Sequence, residues 1–274
     1  MKEDLHIHTS FSTDSNAIME ESVGAAIKRG LDRIAFTEHW DEDYPDEYRE
    51  DFRQAAGPDR KKYHPDFDER PLFTFDIDDY FKALERVRSL YGDRIKILSG
   101  IELGLRPHRP DISEKYRKAV EKYRFDVVLG STHLVNDEEP YYPEAWFKYG
   151  ADTLIEEYFK NMLENVRECD FFTSLSHIDY VVRYVPKELI NCPLPEYFGR
   201  VYEKNARVID EILKIIIKRG QALEVNTKGA FTDIGHVHPS DEIMKRYREL
   251  GGTKLTYGSD AHFSEKVGDG IYGI

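Results

Sequence analysis

The sequence holds little that would staple, anchor or disorder it. Its 274 residues contain only two cysteines, Cys169 and Cys192, in no CxxC pair. That leaves no disulfide framework, and a reducing cytosol is the simpler setting. No apolar run approaches the roughly 18 residues of a membrane span. The start, Met1-Lys2-Glu3-Asp4, is charged and has no apolar segment of a secretory signal. Positive charge is in deficit: 39 Lys and Arg stand against 52 Asp and Glu, a formal net charge of −13. So acidic a chain lacks the basic footprint of a nucleic-acid binder and the attraction to anionic lipid of a membrane-surface protein. We expect a cytoplasmic protein whose partners include neither nucleic acid nor membrane, of a size that forms one large or two small domains. The oligomeric state stays open. An anionic substrate would have to be held by local cations, from metal ions or a few placed Arg and Lys.

What is present is a rhythm. Short apolar runs at Leu5–His8, Arg33–Thr37, Lys96–Ile101, Val127–Ser131, Phe172–Ser176, Ala222–Asn226 and Thr253–Gly258 each end in a polar cluster. Helical patterns fall between them, near Ala17–Arg29, Asp76–Tyr91, Ser113–Tyr123, Thr153–Glu168, Glu196–Arg219 and Asp241–Leu250. Alternation of this kind predicts parallel strands with helical crossovers. Seven strands in one chain of this length suit a closed α/β barrel, with an open doubly wound sheet as the structural alternative. Three connections exceed plain turns: Trp40–Phe75, with Tyr44, Tyr48, Tyr63, Phe67 and Phe73; Asn136–Asp152; and Tyr184–Pro195. All three leave from strand C-terminal ends, where barrel folds carry their active-site loops.

The polar clusters carry the chemistry. They read His6-Ile7-His8, Thr37-Glu38-His39, Gly100-Ile101-Glu102, Ser131-Thr132-His133, Ser176-His177-Ile178-Asp179 and Ser259-Asp260-Ala261-His262, with Asp14 in the turn after the first strand. Residues i and i+2 of a strand point the same way, so His6 and His8 share a face. A lone histidine is usually a satisfied polar residue. Six of the ten histidines at strand ends are harder to explain structurally. Imidazoles mixed with carboxylates, without cysteine, fit Zn, Mn or Fe. Nine candidate ligands (His6, His8, Asp14, His39, Glu102, His133, His177, Asp260 and His262) exceed what one ion accepts, so two to three divalent transition metals are expected, with Glu102 and Asp260 as bridges.

In order and spacing, this set resembles the polymerase and histidinol phosphatase (PHP) family, over nearly the whole chain. Thr37-Glu38-His39, His177-Ile178-Asp179, Glu224-Val225-Asn226-Thr227 with Gly229, and Pro239-Ser240 resemble its histidinol-phosphate phosphatase branch. The resemblance implies one metallophosphatase domain over residues 1–274, a distorted seven-stranded (β/α)7 TIM-like barrel with its metal site at the C-terminal ends of the strands. It implies one metal on His6, His8, Glu102 and Asp260, a second on Glu102, His133 and His177, and a third on Asp14, His39 and His262. Two features depart from the family pattern. The chain stops at Ile274 where a closing helix is expected, and Lys228-Gly229-Ala230-Phe231 lacks a basic residue after its glycine.

The expected activity is hydrolysis of a small phosphate monoester, L-histidinol phosphate above others, as in histidine biosynthesis. A metal-bridging hydroxide, available near neutral pH, would be the nucleophile. Glu38, Asp260 and His262 are candidates to protonate the leaving group. Arg183, Arg106 and Lys228 are candidates to bind phosphate, Arg183 first because a guanidinium can grip it with two hydrogen bonds. The alternatives are a phosphoesterase for another small ester, such as a nucleotide or sugar phosphate, an amide or lactone hydrolase on a related barrel, and a non-catalytic metal-binding module. No strand-end lysine supports the hydrolase of amides or lactones, and no ligand has been lost as a decayed site would predict.

Overall fold

A computed structural model describes residues 1–55 and 64–271. Tyr63, named among the loop aromatics, and the chain end at Ile274 lie outside them. Seven strands are hydrogen-bonded in chain order: β1 (Glu3–Ile7), β2 (Arg33–Trp40), β3 (Lys96–Gly104), β4 (Val127–Ser131), β5 (Ser174–Leu175), β6 (Ala222–Asn226) and β7 (Leu255–Gly258). Just past β7, Ala261 pairs in parallel with Ile7, so the exit of the last strand returns to the first. This is the distorted seven-stranded barrel class, with a helix in every crossover between successive strands. By backbone contacts the chain divides into two compact units. One comprises Met1–Gly104, Tyr123–Leu129 and Tyr257–Ile274, the other Leu105–Lys122 and Gly130–Thr256.

In the first unit, α1 (Met19–Lys28) follows β1 and α2 (Arg49–Ala55) lies in the long loop after β2. Helix α3 (Ile77–Tyr91) begins where Asp76 accepts the Asp79 N–H at 2.9 Å, and Asp78 and Asp79 complement the positive end of its dipole. Its buried stripe is Tyr80, Leu84 and Val87. The Tyr80 hydroxyl donates to Phe36 O at 2.8 Å and accepts Gly100 N–H at 2.9 Å, which ties α3 to β2 and β3.

In the second unit, α4 (Pro110–Tyr123, all but its last residue), α5 (Pro143–Tyr149), α6 (Ala151–Glu168), α7 (Leu194–Gly199), α8 (Val201–Arg219) and α9 (Asp241–Glu249) surround β5 and β6. Helix α8 buries Asn205, Ile209, Ile212 and Ile216 along one face. It ends at Gly220, whose φ of 70° lets its N–H reach Ile216 O and Ile217 O. Gly130 sits where an added Cβ would come 2.8 Å from the Phe172 ring, so this close approach needs glycine.

The expected elements recur with three differences. The helix expected over Glu196–Arg219 is interrupted at Arg200, where α7 gives way to α8. Strand β5 is shortened to two residues. The second long connection contains α5, a helix stabilised by burial of Ala145 and Trp146, whose indole N–H donates to Pro140 O at 2.7 Å.

One buried carboxylate fastens the end of the chain to its start. Asp4, fully buried, accepts Ser259 N–H at 2.9 Å, Ser259 Oγ–H at 2.5 Å and Gly268 N–H at 2.7 Å. Asp4→Asn keeps the volume but turns an amine toward donors. Leaving a buried donor unpaired costs about 1–3 kcal/mol. Urea unfolding of this variant should show a loss of stability of about that size, and parental stability would show that these bonds contribute nothing net.

Candidate active site

Seven of the nine ligand-type side chains meet in the first unit. Strand β1 brings His6, and His8 follows one residue past its end. The β2–β3 register sets His39 opposite Glu102. After β7, Asp260 N–H donates to His6 O at 2.8 Å and His8 N–H donates to Ala261 O at 2.9 Å, which holds Asp260 and the following His262 beside β1. Asp260 has a φ of 52°, a left-handed conformation that Asp tolerates better than most residues.

Glu102 Oε2 lies 3.1 Å from His6 Nε2, 3.3 Å from His8 Nε2 and 3.1 Å from His39 Nδ1. Asp260 Oδ1 lies 3.6 Å from His8 Nε2, 4.0 Å from His6 Nε2 and 3.4 Å from His262 Nδ1. Asp14 Oδ2 lies 3.0 Å from His262 Nε2 and 3.7 Å from His39 Nε2. Ligand-type atoms of His6, His8 and Asp260 fall within 4.8 Å of one another, as do those of His8, His39 and His262. Both groups could hold a metal ion. His6, His8 and Glu102 are fully buried, whereas Asp14 reaches the surface.

Burial and neighbouring charge act differently on His8 and Asp14. Burial pushes His8 down to about 4, helped by the nearby His262, so the ring is neutral at neutral pH. Desolvation acts to raise the Asp14 carboxyl, but His262 and His39 together outweigh it and hold it well below the usual range. Neutral imidazoles and ionised carboxylates are the ligand forms of these residues.

The walls are tightly fitted. An added Cβ at Gly104 would meet Asp41 Oδ1 at 1.9 Å, so Gly104 makes room for this buried carboxylate, whose other oxygen is 3.8 Å from His39 Nδ1. The Phe73 ring meets His39 edge-on at 5.2 Å, and its N–H donates to Thr13 Oγ1 at 2.7 Å. Glu38 is fully buried. It accepts Thr9 N–H at 2.9 Å, Thr9 Oγ1–H at 2.7 Å and Ser12 Oγ–H at 2.7 Å. Burial raises its carboxyl, and these bonds pull it back in part.

The other two ligand-type histidines lie in the second unit. His133 follows β4 and His177 follows β5, with ring centroids 5.7 Å apart. Tyr180 donates its hydroxyl to His133 O at 3.1 Å and packs its ring 4.5 Å from that of His177. The His177 N–H donates to Glu224 Oε2 at 2.7 Å, and Asn226 Nδ2 approaches the same oxygen at 3.3 Å. Asp179 accepts His238 Nδ1–H and Ser240 N–H, each at 2.8 Å. The sequence signs at Glu224, Asn226, Asp179 and Ser240 are thus one buried polar network behind His177.

The three phosphate candidates also lie in this unit. Arg183 is half-buried, with its guanidinium 5.1 Å from the Tyr180 ring centroid and 4.8 Å from that of Tyr184, whose hydroxyl accepts its Nη2–H at 2.7 Å. Arg106 is buried and ion-paired with Asp137. Lys228 opens a 3-10 turn and donates its N–H to Asn226 Oδ1 at 3.0 Å. The sequence pattern places Asp4 only within the first motif and offers Asp41 only as one of the loop carboxylates over Asp41–Asp51 that could hold cationic groups of a substrate. It gives no role to Ser12 or His238, and only the run of Ser and Thr over residues 9–15 signals either of them.

A family model for the PHP domain matches residues 4–228. A probable histidinol-phosphatase of Clostridium acetobutylicum is 34% identical over 97% of this chain and 88% of its own. A histidinol-phosphatase of Lactococcus lactis is 28% identical over 97% of this chain and 86% of its own. A crystal structure of histidinol phosphate phosphatase from Lactococcus lactis, complexed with Zn, L-histidinol and phosphate, superposes with a TM-score of 0.76. It is 26% identical, covering 96% of this chain and 87% of that one.

The depressed His8 pKa has a consequence for stability. The folded state favours the neutral ring, so the stabilisation is present above about 6.5 and is lost as pH falls through about 4. Metal-free protein should therefore lose more stability between pH 7 and pH 4 than its His8→Asn variant does. Equal pH dependence in urea melts of the two would remove the burial of a neutral His8 as a cause.

Proposed function

The chain belongs to the PHP domain family, and on that footing we propose that it is a metal-dependent phosphatase that hydrolyses L-histidinol phosphate to the alcohol and inorganic phosphate. One observation carries this reading: buried imidazoles and carboxylates converge at the C-terminal ends of β1, β2 and β3 and just past β7. The donor set fits a divalent metal. Among the described residues the buried His8 Nε2 has no hydrogen-bond partner, yet it lies between two carboxylate oxygens at 3.3 and 3.6 Å. A cation satisfies all three groups at once. We read the chain as one catalytic domain.

His6, His8, Glu102 and Asp260 would hold one ion, and Asp14, His39 and His262 another. His133 and His177 supply two further imidazoles, and two to three Zn, Mn or Fe ions are proposed in all. When bound, the ions neutralise phosphoryl charge and make hydroxide available near neutral pH. The protein's part is to keep the His8 ring neutral and the Asp14 carboxyl ionised and to fix the directions of the side chains. Arg183 is proposed to grip the phosphate. Its ring contacts with Tyr180 and Tyr184 limit its freedom, so less entropy is lost when it binds. Asp260 and His262 remain the candidates to protonate the leaving alkoxide. Among the described residues, no helix is long and apolar enough to cross a membrane.

The direct test is phosphate release from L-histidinol phosphate beside nucleotide and sugar phosphates, after loading with Mn, Zn or Fe. The reading expects the highest kcat/KM for histidinol phosphate. A higher value for another ester would reassign the substrate and leave the metal chemistry standing.

Two variants test the parts. Glu102→Gln removes the negative charge shared by three imidazoles, and should lower metal content and turnover by about tenfold to a hundredfold. Full metal content with normal turnover would exclude a bridging role. Loss of a charge-assisted contact costs about 1.5–3 kcal/mol, so Arg183→Ala should lower kcat/KM by about tenfold to a hundredfold. Metal content should be unchanged. A parental kcat/KM would move the phosphate contact to Arg106 or Lys228.

A further inference from the structure

A serine hydroxyl has one hydrogen to give and two lone pairs to accept with. In Ser12 all three are committed. The hydrogen goes to Glu38 Oε2 at 2.7 Å. That oxygen also accepts Thr9 N–H at 2.9 Å. One Ser12 lone pair takes the His39 N–H at 3.0 Å, a group that can only donate. The other faces His8 Nδ1 at 3.1 Å, so Nδ1 must carry the hydrogen. In a neutral ring this leaves His8 Nε2 as the bare nitrogen, the atom between Glu102 and Asp260.

We propose that Glu38 and Ser12 are positioning residues that lock His8 in its Nδ1–H tautomer, present Nε2 to a divalent metal ion, and hold the His39 backbone beside it. The inference rests on the proposed metal role of His8. It assigns Glu38 differently from a proton donor to the leaving group. Glu38 is fully buried, and among the described residues the hydrogen bonds to its carboxylate all come from the turn after β1, from Thr9 and Ser12. The dependence of a ligand ring on the partner of its second nitrogen is general, and loss of such a partner typically weakens metal affinity or activity by about tenfold to a hundredfold.

The test begins without metal. Long-range proton–nitrogen spectra of metal-free, 15N-histidine-labelled protein, with His8 assigned through His8→Asn, should show the Nδ1–H tautomer. An Nε2–H ring in the parent overturns the proposal without any variant. Ser12→Ala should give a mixed or switched tautomer and bind Mn2+ about tenfold to a hundredfold more weakly. Glu38→Ala should behave similarly. Glu38→Gln can keep an acceptor oxygen against Ser12 and should restore most of the affinity and the parental tautomer. Parental tautomer and Mn2+ affinity in Ser12→Ala would sink the inference, as would a Glu38→Gln protein no better than Glu38→Ala. If the parent itself binds no Mn2+, the metal reading fails, while the tautomer measurement still judges the lock.

Discussion

A single carboxylate oxygen, Glu102 Oε2, lies about a hydrogen-bond length from three imidazoles, those of His6, His8 and His39. Burying a charge is unfavourable unless it is paired. Here the pairing requires three separate segments to end at the same point. The β2–β3 register supplies two of them, because His39 and Glu102 are direct partners in the ladder. The third depends on β1 running far enough to deliver His6 and His8 on one face. A one-residue slip in either register would turn these side chains to the opposite face. The fold is constrained at this point more tightly than hydrophobic burial alone would require.

The sequence made the residues that meet around Glu102 legible because strand periodicity and strand ends are local signals. His6 and His8 two residues apart, and a histidine or carboxylate closing six of the seven apolar runs, need no tertiary knowledge. Strands β4 and β6 were readable to the residue for the same reason, since their apolar runs end in sharp polar stops. The supporting residues were not legible. Ser12 matters through what lies on either side of it, a glutamate 26 positions away and a histidine four positions away. Asp4 matters through Ser259 and Gly268, more than 250 positions distant. Polar residues of these types occur throughout the chain, and only their convergence distinguishes these.

The same limit explains the helices that the sequence did not reveal. Helix α5 is only seven residues long, too short for a periodic pattern to stand out, and its Trp146 and Ala145 are buried by the surrounding chain. The break at Arg200 fell within a continuous helical pattern, so the sequence read one helix where there are two. In both places tertiary packing decides what local propensity leaves undetermined.

The acidity of the chain and the chemistry of its site have one resolution. A net charge of −13 repels a phosphate ester at long range, with a screening length of about 8 Å at physiological salt. Within that distance the sign of the local charge decides. The neutral His8 ring contributes none, and the ionised Asp14 contributes negative charge. Without bound cations, such a cluster would exclude an anionic substrate. With them, the buried carboxylates become the groups that hold positive charge in place, and an acidic protein can present a cationic floor to phosphate. Local acidity and phosphate chemistry therefore support each other only through the metal.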